Sequence, residues 1–284
     1  MLLGGALLDR VQEAPAPVLP GPAIAWPAQG HAAYTTSAVD AIRSSGDEVP
    51  VPVASVTKVM TAYVVLQESP LELGEPGPMI AIAEADVADT ERRRANGESI
   101  VAVAAGEALT QLQALYALML PSANNVAVVL ARSTAGSVDD FVELMNDAAD
   151  DLGMEHTVYT DPSGMADDTV STAADQVRLF DAAMRDPVFA AVAGATAAEL
   201  PVAGTVRTTS RLLGQDGFVA GKTGSHDAAG GCYVFQVVRT VAGRDVVITG
   251  AVLGQRDGPY VEAALTAAEA LAEEVAASAD ARAA

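Results

Sequence analysis

Between residues 106 and 152 the apolar positions recur with the period of a helix. Leu109, Leu112, Leu115, Tyr116 and Met119 form one stripe, and Phe141, Leu144, Met145, Ala148 and Leu152 form another. The spacing predicts helices over 106–120 and 138–152, the first broken by Pro121 and the second ended by Gly153. Similar patterns place helices over 56–67, from Asn125, and over 172–184, where Thr172 is the N-cap and Asp175 follows three residues later. After residue 200 the pattern becomes that of strands, over 218–224, 232–238 and 245–253, with a turn at Ala242-Gly243 and a long Ala/Glu helix over 258–277. Near the other end, residues 23–27 and 31–36 flank Gln29-Gly30 and read as a hairpin.

Strands at both ends with helices between predict an α+β fold, an α/β sandwich. One antiparallel sheet is formed by both ends of the chain and packed against helices, with an all-helical subdomain inserted. The reading divides the chain into a linker or truncated anchor over 1–22 and a single domain over 23–280. The sheet subdomain covers about 23–54 and 200–280 and the helical one about 55–199. The four prolines of 11–22 read as extended linker. The apolar run 1–8 stops at Asp9-Arg10, too short for a membrane span.

Composition narrows the function. The 284 residues carry 16 basic and 37 acidic side chains, a net charge of −21 that argues against binding nucleic-acid backbones. The Arg92-Arg93-Arg94 run reads as a solvated helix face or turn. With 50% hydrophobic and 19% charged residues the chain is not disordered. The lone Cys232 reads as a small core residue, and three scattered histidines offer no ligand pair, so neither a metal nor a cofactor is expected. Among the 16 basic residues only two are lysines, Lys58 and Lys222. Arg cannot lose its proton and Lys can, so these two positions are where Arg would not serve.

Both lysines lie in short motifs. Ser55-Val56-Thr57-Lys58 sits at a helix start, with the hydroxyl and the amine three residues apart on one face. A serine needs an adjacent base to become a nucleophile, and a neutral lysine can supply it. Ser122-Ala123-Asn124 places a hydroxyl and an amide together in a loop between helices. Lys222-Thr223-Gly224 lies on a strand, with Gly221 and Gly224 leaving room for a peptide along the edge.

Taken in order, the three motifs resemble those of the penicillin-recognising serine enzymes, and most closely the low-molecular-weight D-alanyl-D-alanine carboxypeptidases. Leu120-Pro121-Ser122-Ala123-Asn124-Asn125, Thr160-Asp161-Pro162-Ser163-Gly164-Met165 and Gly221-Lys222-Thr223-Gly224-Ser225 support the resemblance, which runs from about Pro20 to Leu253. It implies a β-lactamase/transpeptidase-like fold and an extracytoplasmic enzyme. That enzyme acts through an acyl-enzyme on the D-Ala-D-Ala end of peptidoglycan stem peptides, with β-lactams as covalent inhibitors. By the same resemblance Ser55 is the nucleophile, Lys58 its base and Ser122 a proton relay. Asn124 holds the substrate backbone, while Lys222 and Thr223, with Arg256, bind the terminal carboxylate. The backbone N–H groups of Ser55 and Ser225, beside Gly224, form the oxyanion hole. Apart from the resemblance, His226 follows the third motif closely enough for a secondary role, and Asp161 reads as a loop cap at the border of the site. An N-terminal membrane anchor outside this chain fits the same picture.

The alternatives are a serine β-lactamase or a non-catalytic wall-binding or sensor domain of the same fold. The Glu-x-x-x-Asn pattern of class A β-lactamases is missing between the second and third motifs, and Ala123 stands where they carry Asp. A Ser-His-Asp hydrolase would need a nucleophile elbow that the chain lacks.

Overall fold

The computed structural model describes residues 24–283 apart from Asp47, so the linker or anchor expected over 1–22 lies outside the described residues. The chain enters through β1 (His31–Thr36) and β2 (Val39–Ser44), then β3 (Val51–Pro52). A 3-10 turn at Ala54–Thr57 leads directly into α1 (Lys58–Glu68). There follow β4 (Met79–Ala81), α2 (Glu84–Ala95), β5 (Ala108–Thr110), α3 (Gln111–Met119), α4 (Asn124–Ala135) and α5 (Val138–Asp151). Next come β6 (Val170–Ser171), α6 (Ala173–Ala183), α7 (Pro187–Ala193), β7 (Ala197–Leu200) and β8 (Gly204–Arg207). The chain closes with β9 (Phe218–His226), β10 (Gly230–Val241), β11 (Arg244–Gln255) and α8 (Tyr260–Ala283).

The five-stranded sheet has the order β2-β1-β11-β10-β9, all antiparallel. Both ends of the chain therefore build one sheet, as the sequence pattern predicts. The two faces bury separate cores. On one, Ala33, Val234, Ala251 and Leu253 meet the helices of the insert. On the other, Tyr233, Phe235, Ile248 and Val252 meet α8. That helix is Ala-rich yet firmly seated, because Ala264, Leu265, Ala268, Leu271, Ala272 and Val275 recur at helical spacing and are all buried. Truncating Leu271 to Ala would cost roughly 2–5 kcal/mol. Among the described residues no helix is long and apolar enough to cross a membrane.

The structure departs from the sequence pattern in places. Residues 24–27 are not a strand: the Ala25 N–H donates to Glu274 of α8 and Trp26 packs on Tyr34. The partners of β1 are β11 and the edge strand β2 instead. The helix expected from 106 begins only at Gln111. Ala108–Thr110 pairs with β4, and Thr110 caps α3 by accepting from the Gln113 N–H while the Gln113 side chain accepts from the Thr110 N–H. Helix α2 carries the arginine run, in which Arg92 and Arg94 are exposed but Arg93 is not. The insert is helical apart from short two-stranded ribbons.

Candidate active site

The 3-10 turn brings the first motif together more tightly than an α-helix would, because side chains three residues apart eclipse one another in that geometry. Ser55 is half-buried and Lys58 wholly buried. The turn is entered through Ala54 at φ +48°, a left-handed conformation unusual for a residue with a side chain. Ser122, between α3 and α4, is likewise left-handed at φ +65°. Backbone held in such regions clusters at functional sites, where the surrounding structure over-determines it.

The Lys58 amine has three oxygen neighbours: Ser55 Oγ at 2.8 Å, Asn124 Oδ1 at 2.7 Å and the Ser163 carbonyl at 2.6 Å. The carbonyl arrives on the 161–165 loop. There the Asp161 carboxylate accepts from the backbone N–H of Ser163, Gly164 and Met165 and from the hydroxyls of Ser163 and Thr169. Gly164 makes the close approach possible. Its φ is +77°, and a Cβ there would lie 1.8 Å from the Ala54 carbonyl oxygen. Burial lowers the Lys58 pKa well below its ordinary value, and the charge of Lys222 lowers it further.

Lys222, buried in β9, donates to Ser122 Oγ at 2.9 Å and to the Thr223 carbonyl at 2.7 Å. Burial pushes it down to about 7. Thr223 shares a hydrogen bond of 2.5 Å with Thr209, and the backbone of Gly224 runs against the Ser55 turn: a Cβ there would lie 2.8 Å from the Ser55 nitrogen. Motifs 67 and 100 residues apart in the sequence thus meet at one cleft. A hydroxyl, a buried amine beside it, and a second amine tied to a second hydroxyl are what acyl transfer to serine needs.

A protein-family model described as D-alanyl-D-alanine carboxypeptidase matches residues 34–256. The chain belongs to this family. Among curated D-alanyl-D-alanine peptidases, it is 37% identical over 145 residues to an endopeptidase of Pseudomonas aeruginosa, which covers 51% of the chain and 44% of that relative. It is 35% identical over 204 residues to a carboxypeptidase of Mycobacterium tuberculosis, covering 69% and 65%. The crystal structure of the Streptomyces K15 DD-transpeptidase superposes with a TM-score of 0.76 at 26% identity, covering 90% of this chain and 98% of that one. The penicillin-recognising α+β fold expected from the sequence is therefore present.

Of the residues expected at the site, Ser55, Lys58, Ser122, Asn124, Lys222, Thr223 and Gly224 converge. Ser225 follows on the same strand and is exposed. The Arg256 guanidinium donates to the carbonyls of Asp227 and Ala228 in the β9–β10 turn and lies over the Tyr260 ring. His226 accepts from the Ala229 N–H and faces Asp167 at 3.6 Å. Asp161 borders the site through the Ser163 carbonyl. The sequence reasoning missed Glu98 and Arg93, which approach Asn124 from the end of α2. The only signal for them was an acidic residue near a basic run, which is common on any helix.

Proposed function

We propose that this D-alanyl-D-alanine carboxypeptidase family member removes the terminal D-alanine from peptidoglycan stem peptides on the outer side of the membrane, through an acyl-enzyme on Ser55. The observation that carries the reading is the environment of Lys58. A neutral amine has two hydrogens and one lone pair. Asn124 Oδ1 and the Ser163 carbonyl can only accept, so they take the two hydrogens. The lone pair is left facing Ser55 Oγ, which can donate. This is a base oriented toward its nucleophile.

The steps follow. Ser55 Oγ attacks the carbonyl carbon of the penultimate D-alanine as its proton passes to Lys58 Nζ. The developing oxyanion sits against the N–H groups of Ser55 and Ser225. A protonated Lys222 has three donors, of which Ser122 and Thr223 take two, leaving the third for the terminal carboxylate of the substrate. When the C–N bond breaks, Ser122 gives its proton to the departing D-alanine amine and recovers one from Lys58, which returns to its neutral form. Water then cleaves the ester, with Lys58 again as base. Arg256 contributes through the β9–β10 turn that its side chain braces.

The test pairs two substrates. An acyl-D-Ala-D-Ala peptide should release D-alanine over many turnovers. Benzylpenicillin should add one covalent mass to the protein and leave it over minutes or longer, and Ser55→Ala should abolish both reactions. Rapid multiple-turnover penicillin hydrolysis without D-alanine release would assign a β-lactamase instead. An undiminished adduct in the Ser55→Ala protein would remove the nucleophile.

A further inference from the structure

Asn124 has one end that accepts hydrogen bonds and one that donates, nearly identical in shape, and Lys58 needs the accepting end. The choice is made on the far side of the amide. Asn124 Nδ2 donates to Glu98 Oε2 at 3.0 Å, and a carboxylate can only accept. Flipping Asn124 would set its oxygen against the Glu98 carboxylate and its NH2 against Lys58. We propose that Glu98 is a positioning residue: it fixes the orientation of the Asn124 amide and so reserves the Lys58 lone pair for Ser55. With Asn124 reversed, the amine lone pair would accept from Nδ2 and be lost to the nucleophile.

Glu98 is itself held. Its backbone N–H donates to the Arg93 carbonyl, closing the chain back on the end of α2. Its Oε2 accepts from Arg93 Nη1 at 2.7 Å, and Arg93 Nε in turn donates to Asp89 at 2.6 Å. The side chains of Glu98 and Arg93 are only 9% and 13% exposed, so the pair is shielded from water and held in one geometry. The arginine has a second consequence. An unpaired carboxylate this close would favour the charged form of Lys58 and spoil the base. The charged groups acting on Lys58 are Lys222 from β9, Asp161 from the loop, and Arg93 and Glu98 from the end of α2. Of these, Glu98 and Arg93 act in opposite directions. Glu98 can therefore orient the amide without holding a proton on the lysine.

The proposal rests on the functional reading above, and the experiment separates the two. Acylation of the full chain by benzylpenicillin is followed from about pH 5 to about pH 9 by stopped-flow and intact mass, for wild type, Glu98→Ala and Glu98→Gln. In Glu98→Ala the orienting acceptor is gone, and the acylation rate constant should fall roughly ten- to hundredfold, the usual loss when an outer partner that orients an active group is removed. The adduct should still reach one per chain at long times, which shows an intact fold. Glu98→Gln keeps an oxygen facing both Asn124 and Arg93, so its maximal rate should stay within about threefold of wild type. Its acid limb should move to lower pH, because the carboxylate charge is lost while the Arg93 charge remains. Equal rates for wild type and Glu98→Ala would overturn the proposal, as would Glu98→Gln falling as far as Glu98→Ala. So would a Glu98→Ala adduct that stops well short of one per chain, since that is loss of fold rather than of orientation. A wild-type chain that takes up no penicillin at Ser55 overturns the functional reading, and the proposal with it.

Discussion

Two buried amines make the stability of this protein depend on pH in a defined way. Lys222 is pushed down to about 7 by burial. Lys58 falls well below its ordinary value, through burial first and then the charge of Lys222. In the unfolded chain both return to about 10.4. A lysine with a lowered folded pKa destabilises the fold while it is charged in both states. That cost is relieved as pH rises, because unfolding must then take up a proton. Each such amine raises the unfolding free energy by about 1.4 kcal/mol per pH unit. From about pH 7.5 to about pH 8.5 Lys222 alone should add about 1.2 kcal/mol, and Lys58 acts in the same direction. Above about pH 9 the gain weakens, because burial holds the Cys232 thiol up at about 12 and the unfolded chain loses that proton first. Above about pH 10 the buried hydroxyls of Tyr159 and Tyr233, also raised by burial, turn the slope downward. Urea unfolding at fixed ionic strength, followed by circular dichroism, measures the slope. Lys58→Met and Lys222→Met should each lower it. A profile flat between about pH 7.5 and about pH 8.5 in the wild type would refute the reasoning, since neither amine would then be neutral in the fold. A slope untouched by either substitution would refute it too.

Two further outcomes follow from the site. Lys58→Arg should abolish penicillin acylation because the guanidinium stays protonated, whereas Lys222→Arg should retain part of it because that role is electrostatic; equal tolerance of both would contradict the separate roles. Gly164→Ala should destabilise the protein by about 2–5 kcal/mol, from the left-handed backbone together with the overlap on the Ala54 carbonyl. It should also slow acylation by displacing the Ser163 carbonyl from Lys58. A variant with unchanged melting temperature and unchanged acylation would show that the loop yields freely.

Much of the fold and the candidate chemistry was legible in the sequence alone. Apolar spacing fixed the helices α1, α3, α5, α6 and α8 and the strands β9 to β11, because one face of each has to be buried whatever its neighbours are. The lysine count singled out two positions in a chain that otherwise uses Arg, since only an amine can become neutral. Its motifs carried the family. What the sequence left open depended on contacts between distant segments. Strand β2 is short, mixed in polarity and at the sheet edge, so no alternation announces it. Residues 24–27 look like its substitute until α8 is there to receive them. The left-handed residues Ala54 and Ser122 are neither Gly nor Asn, so nothing in the sequence marks them, and β9 and the 161–165 loop press on the Ala54–Ser55 turn only in the folded chain. The orientation of Asn124 was beyond reach for the same reason. An amide has two ends of one shape, and which faces Lys58 is decided by a carboxylate 26 residues away that only the folded chain brings alongside.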